Sequence, residues 1–68
     1  MDPNANLAHQ DRLVTAAATQ PIHNYDRYAL FDLRQALREW LLSGGYQPDW
    51  QRYPAGTASY RKWAGMEN

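Results

Sequence analysis

Residues 25–43 read as one helix carrying apolar side chains on two separate faces, and no other stretch constrains the fold as much. At about 100° per residue, Ala36, Ala29, Trp40, Leu33, Leu37, Leu30 and Leu41 fall within an arc of about 140°. Arg34, Arg27 and Arg38 follow as a narrow strip. Beyond the strip lies a second apolar patch of Phe31, Leu42 and Tyr28, and Glu39 and Asp32 close the circle. Asn24 or Asp26 can cap the start, and Gly44 or Gly45 ends the helix. With Gly45 as the left-handed residue, Leu41 and Tyr46 supply the apolar pair of a Schellman ending. A helix with two apolar faces needs two sets of neighbours.

The flanking segments supply few neighbours. A first helix is expected from Pro3 or Asn6 to Thr19, with Asp2, Asn4 or Asn6 as candidate caps and residues 1–5 frayed. Pro21 disfavours helix at Gln20 and sets its end. Leu7, Leu13, Val14, Ala17 and Ala18 share an arc of about 140°, into which Asn6 and Gln10 intrude. Its small residues bury little area, so it can cover only one face of the long helix. Residues 46–54 form a Pro-flanked aromatic loop holding Tyr46, Trp50 and Tyr53, with at most one helical turn after Asp49 before Pro54 stops it. A short helix from a Thr57 cap to Ala64 follows, ended by Gly65, with Tyr60 and Trp63 on one face and Arg61 and Lys62 in its last turns. Residues 66–68 are expected to fray. The fold expected is all-α: one domain over 1–68, built as a two-helix hairpin with an aromatic-rich loop and a short C-terminal helix. Within it Trp40 is expected in the core and Phe31 at an interface.

Size sharpens the question of what stabilises such a chain. With 68 residues and no cysteine, the chain has a single core of a size that rarely supplies more than about 3–5 kcal/mol. Disulfides and thiolate metal sites are excluded. Good packing, a homo-oligomer or a larger partner remains, and the two apolar faces favour a chain that is not a lone monomer. No basic leader precedes an apolar stretch, and the longest apolar runs, such as Trp40-Leu41-Leu42, are far too short to span a membrane. A cytoplasmic location without membrane contact is expected.

The sequence offers little for catalysis. His9 and His23 show no metal-ligand spacing. Ser43 and Ser59 lie outside any nucleophile elbow, and Gly44-Gly45 follows a helix, so it is no phosphate cradle. A chain this short is not expected to build a cleft of about 300 Å3. Asp26 and Asp49 read as helix caps. No enzyme activity, cofactor or metal is expected.

Binding is the better expectation. Three Trp, five Tyr and one Phe lie mostly from Trp40 onward. Trp, Tyr and Arg dominate interface energetics, and Arg34 and Arg38, like charges one turn apart, are tolerable where an acidic partner or a phosphate faces them. The expected partner-binding residues are Tyr28, Phe31, Arg34, Arg38, Leu42, Tyr60, Arg61 and Trp63. The expected function is a non-enzymatic protein-binding module: a homodimeric adaptor, or an inhibitor or accessory subunit of a larger complex, phage-type inhibitors among them. The alternative is a small nucleic-acid binder stacking bases on Tyr60 and Trp63 beside Arg61 and Lys62. Seven basic and seven acidic residues balance to zero, which makes nucleic acid the less favoured partner, because phosphate neutralisation carries most of such binding.

Overall fold

A computed structural model describes residues 1–20 and 24–66, leaving aside the side chains of residues 24 and 25. It is all-helical: α1 (Pro3–Thr19), α2 (Asn24–Leu42), a 3-10 turn (Trp50–Arg52) and α3 (Pro54–Trp63). Two long helices are followed by a short one, with an aromatic cluster between loop and helices. Pro21, His23 and residues 67–68, which figured in the expected helix end, histidine pair and frayed terminus, lie outside the described residues.

Local chemistry accounts for most element ends. Asp2 caps α1, its carboxylate accepting from the Asn4 and Ala5 amides at 2.9 and 3.3 Å, and Pro3 occupies the first helical position. Residues 3–5 are therefore the first turn of a capped helix, and Pro3 is buried. Gln20, before Pro21, is extended, as the steric demand of proline on its predecessor requires. In α2, Asn24 is already helical and Asp26 lies within the first turn. There its charge suits the helix dipole without making it the cap.

The ending of α2 is a Schellman motif on Gly44, the first of the two glycines able to end it. Gly44, at φ 91°, is the left-handed residue. The Gly45 amide donates to Trp40 O at 2.9 Å, and Gly44 to Leu41 O at 3.1 Å. Gly45 serves a different need. A Cβ there would fall inside the Trp40 indole, which lies over the backbone and donates to Tyr46 O at 2.8 Å. Gly65, at φ 74°, ends α3 in the same manner, with Met66 N bonding Arg61 O.

The start of α3 was not expected at Pro54. Proline stops the 3-10 turn and opens the next helix, its missing N–H costing nothing at a first helical position. Tyr53, at the cap position, makes no side-chain cap bond. The carboxylate that serves is Asp11 of α1, which accepts from the Gly56 amide at 2.8 Å. Thr57, expected as the cap, instead donates its hydroxyl to Trp50 O at 2.7 Å. Asp49 likewise makes no side-chain cap bond for the 3-10 turn. Its backbone N–H donates to Asn4 Oδ1 at 2.7 Å. Asp11→Ala is expected to cost about 1 kcal/mol in urea unfolding, as loss of a cap does, while Asp11→Asn retains most of it.

The core is Leu7 of α1, Leu37 of α2 and Tyr60 of α3, with Trp40, Leu41, Trp50, Tyr53 and Trp63 packed round it. Trp40 is half-buried and flanks this centre, so the middle of the core is one turn earlier than expected, at Leu37. The face that α1 presents also differs from the expected arc. Asn6, Leu7 and Gln10 are buried, whereas Ala17 and Ala18 are exposed. The two polar residues that interrupt the apolar arc form a ladder. Gln10 Nε2 donates to Asn6 Oδ1 at 2.7 Å, and Asn6 Nδ2 donates to Leu33 O of α2 at 3.0 Å. Burying amides is tolerable because these bonds replace those to water, although Gln10 Oε1 has no partner among the described residues. Beside the Leu7 packing, α1 is bonded to α2 by Asn6, to the loop by Asn4 and to α3 by Asp11.

Candidate protein-binding face

The outer side of α2 carries the chain's main exposed apolar stretch. Tyr28 is 72% exposed, Phe31 47% and Leu42 76%. They share one side of the helix with Gln35 and Arg38, opposite the side that packs on Leu7. Arg38 is exposed and Gln35 half-exposed. This is the second apolar patch of the sequence, and α3 covers part of it. Trp63 meets Phe31 edge to face, ring centroids 6.1 Å apart, an arrangement suited to the aromatic quadrupoles. At the other end, Arg38, Leu42, Tyr60, Ala64 and Met66 line a shallow groove of about 240 Å3 between α2 and α3.

The remaining expected binding residues are placed differently. Tyr60 is 1% exposed. Its ring stacks on Trp50 at 5.7 Å and tilts against Trp63 at 6.0 Å. It is a core residue, so the structure removes it from the set available to a partner. Burial pushes its phenol pKa up, while the charge of Arg38 pulls the other way. Arg34 is half-buried and donates from a terminal guanidinium nitrogen to Ser59 Oγ, tying α2 to α3. Its Nε is buried without a partner among the described residues, and desolvation lowers its pKa. Arg34 is thus a structural tie between helices and not part of an open arginine strip. Arg61 is exposed but lies over the Trp50 ring at 5.5 Å, away from the Phe31 patch. The structure therefore brings together Tyr28, Phe31, Arg38, Leu42 and Trp63, buries Tyr60, and sets Arg34 and Arg61 apart.

Sequence reasoning missed one surface feature. An open hollow of about 600 Å3 is lined by Pro48, Asp49, Trp50, Pro54, Thr57 and Arg61, larger than the cleft a chain of this length was expected to form. The signal for it is the two prolines that bracket Trp50 and bend the loop round it. Thr57 spends its hydroxyl hydrogen on the Trp50 carbonyl, and Asp49 is the one carboxylate in the lining. Elsewhere His9 is exposed, and among the described residues no group of three His, Cys, Asp or Glu side chains is placed to hold a metal ion. No described helix is long and apolar enough to cross a membrane. No family model matches the chain, and none of the curated proteins or solved structures compared with it matches either.

Proposed function

We propose that this chain is a non-enzymatic protein-binding module whose partner docks on the outer face of α2. The observation that carries this reading is the run of large apolar side chains left open there: Tyr28 and Leu42 each expose more than two thirds of their surface. Scattered single apolar residues on a surface mean little, but several aligned on one helix face mark an interaction site. The helix is already held by α1 and α3, so a partner orders little on binding. An adaptor, or an inhibitor or accessory subunit of a larger assembly, is the kind of protein such a face suits. The nucleic-acid alternative relied on two stacking rings, and burial of Tyr60 and the contact of Trp63 with Phe31 leave little ring face for a base.

The test is affinity capture with mass spectrometry, comparing the tagged chain with a Tyr28→Glu, Leu42→Glu variant. Both positions are exposed, so the variant should keep its helical circular dichroism. The expected result is one protein retained in stoichiometric amount by the wild-type chain and lost from the variant. A second copy is detected by mixing in an untagged chain. Recovery of the same proteins by both forms, or of no stoichiometric protein by either, would overturn the reading.

A further inference from the structure

The outer face of α2 has the spacing of a short coiled-coil seam. Tyr28, Phe31, Gln35, Arg38 and Leu42 follow one another at steps of three, four, three and four. Tyr28, Gln35 and Leu42 then occupy a positions of a heptad, and Phe31 and Arg38 occupy d positions. In that register Arg27 and Arg34 are g residues, and Asp32 and Glu39 are e residues. The seam is thus acidic along one flank, while on the other Arg27 is the open cation and Arg34 is half-buried against α3. Arg27, Asp32 and Glu39 are exposed.

We propose that this seam takes a second copy of the chain, lying parallel to the first about a two-fold axis. The proposal rests on the reading of this face as a protein-binding surface and names its partner. Charge decides both the partner and its direction. Across a parallel seam, a g residue lies against the e residue of the next heptad on the neighbour, five residues later. Asp32 stands five residues after Arg27, and Glu39 five after Arg34. Each complementary contact is made twice about the axis. In an antiparallel pair like flanks meet, arginine facing arginine and acid facing acid. Arg34 is already committed to Ser59, so the contact of Arg27 with Asp32 of the second copy carries more of the selectivity.

The seam positions agree with this arrangement. Tyr28, Phe31 and Leu42 meet their own copies, burying the exposed patch. Gln35 sits at the central a position, where its amide can both donate to and accept from the amide of its copy, and a single polar a pair sets register. Arg38 is the costly residue. A d side chain points at its copy across the axis, and two guanidinium groups repel, relieved only by Glu39 of the second copy beside them. The seam is also short, about 21 Å from Tyr28 to Leu42. Two heptads of free peptide would not associate, because isolated helices of this length barely form. Here α2 is ordered beforehand by its own domain, so association costs no helix formation. Zero net charge leaves no long-range repulsion to oppose it.

Sedimentation velocity with single-cysteine crosslinking tests the proposal, and the absence of native cysteine makes every crosslink unambiguous. The expected result is a reversible dimer dissociating at roughly tens of micromolar, as so small an interface allows. Arg27→Glu alone, or Asp32→Arg alone, weakens it about ten-fold, and the two together restore it. Arg38→Leu tightens the dimer by about ten-fold or more. Leu42→Cys crosslinks to itself under mild oxidation but not to Tyr28→Cys. A chain that stays monomeric at several hundred micromolar, in wild-type and Arg38→Leu forms alike, overturns the proposal. So does crosslinking of Leu42→Cys to Tyr28→Cys, or a dimer indifferent to both charge reversals. A monomeric chain that still retains another protein through Tyr28 and Leu42 defeats the second copy alone. A monomeric chain that retains none defeats the protein-binding reading as well.

Discussion

Leu37→Ala is expected to leave the chain largely unfolded at room temperature. Leu37 and Leu7 are both 0% exposed and Tyr60 1%, and these three side chains from three different helices form the only fully enclosed apolar cluster among the described residues. Truncating a buried leucine costs about 2–5 kcal/mol, the transfer term plus the cavity left behind. The single core of a domain this small rarely supplies more than about 3–5 kcal/mol. The loss therefore consumes most of the margin. Trp40→Ala should cost less than Leu37→Ala, because the indole is half-buried at the edge of the cluster. Circular dichroism during urea titration reads both. A Leu37→Ala protein with a wild-type midpoint would mean that the centre of the core lies elsewhere.

Gly56→Ala should also destabilise, against the usual sign. Within a helix alanine is ordinarily favoured over glycine by about 1 kcal/mol. At Gly56 a Cβ would lie 2.8 Å from Asp11 N and 2.9 Å from Asp11 Cα. Both are backbone atoms and cannot swing aside, so α3 must move off α1. That displacement also stretches the Asp11–Gly56 bond that caps α3. Overpacking of this kind costs about 1–3 kcal/mol. A lowered urea midpoint is the expected outcome. A raised midpoint would show that α1 and α3 do not approach so closely at this point.

Features encoded by neighbouring residues are legible in the amino-acid sequence. Pro21 forces Gln20 extended and Gly65 ends α3, since each depends on the backbone geometry of one or two residues, while Asp2-Pro3, one of several starts open to α1, is the one used in place of a frayed terminus. The division of α2 into an inner and an outer apolar face is legible from its 3.6-residue period, and Tyr28 and Leu42 do stand open. What misleads is a partner distant in the chain. A wheel counts Asn6 and Gln10 as interruptions because it cannot register the Leu33 carbonyl waiting on another helix. Thr57 resembles the cap of α3 because the group that serves, Asp11, is 45 residues from Gly56. Gly44 and Gly45 are interchangeable by propensity, and their roles are separated by the left-handed turn at Gly44 and the Trp40 indole lying on Gly45. Tyr60 and Trp63 share a helix face, so nothing local says which one turns into the core.

The long reach of α1 also imposes an order of assembly. Asn4 takes its partner from Asp49 and Asp11 from Gly56, each 45 residues further on. On the ribosome, residues 4–11 emerge before the loop and α3 and must wait for them before these bonds can close. Until then Asn6 and Gln10 have only α2 against which to dock, and Leu7 lacks the ring of Tyr60. Closing so long a loop adds an entropic cost that grows only slowly with length, but it removes the advantage of purely local contacts that makes simple helical hairpins fast folders. A nascent chain halted before residue 49 would hold two helices' worth of sequence and no finished core, and would expose Leu7 and Leu37 to whatever apolar surface or chaperone it met first.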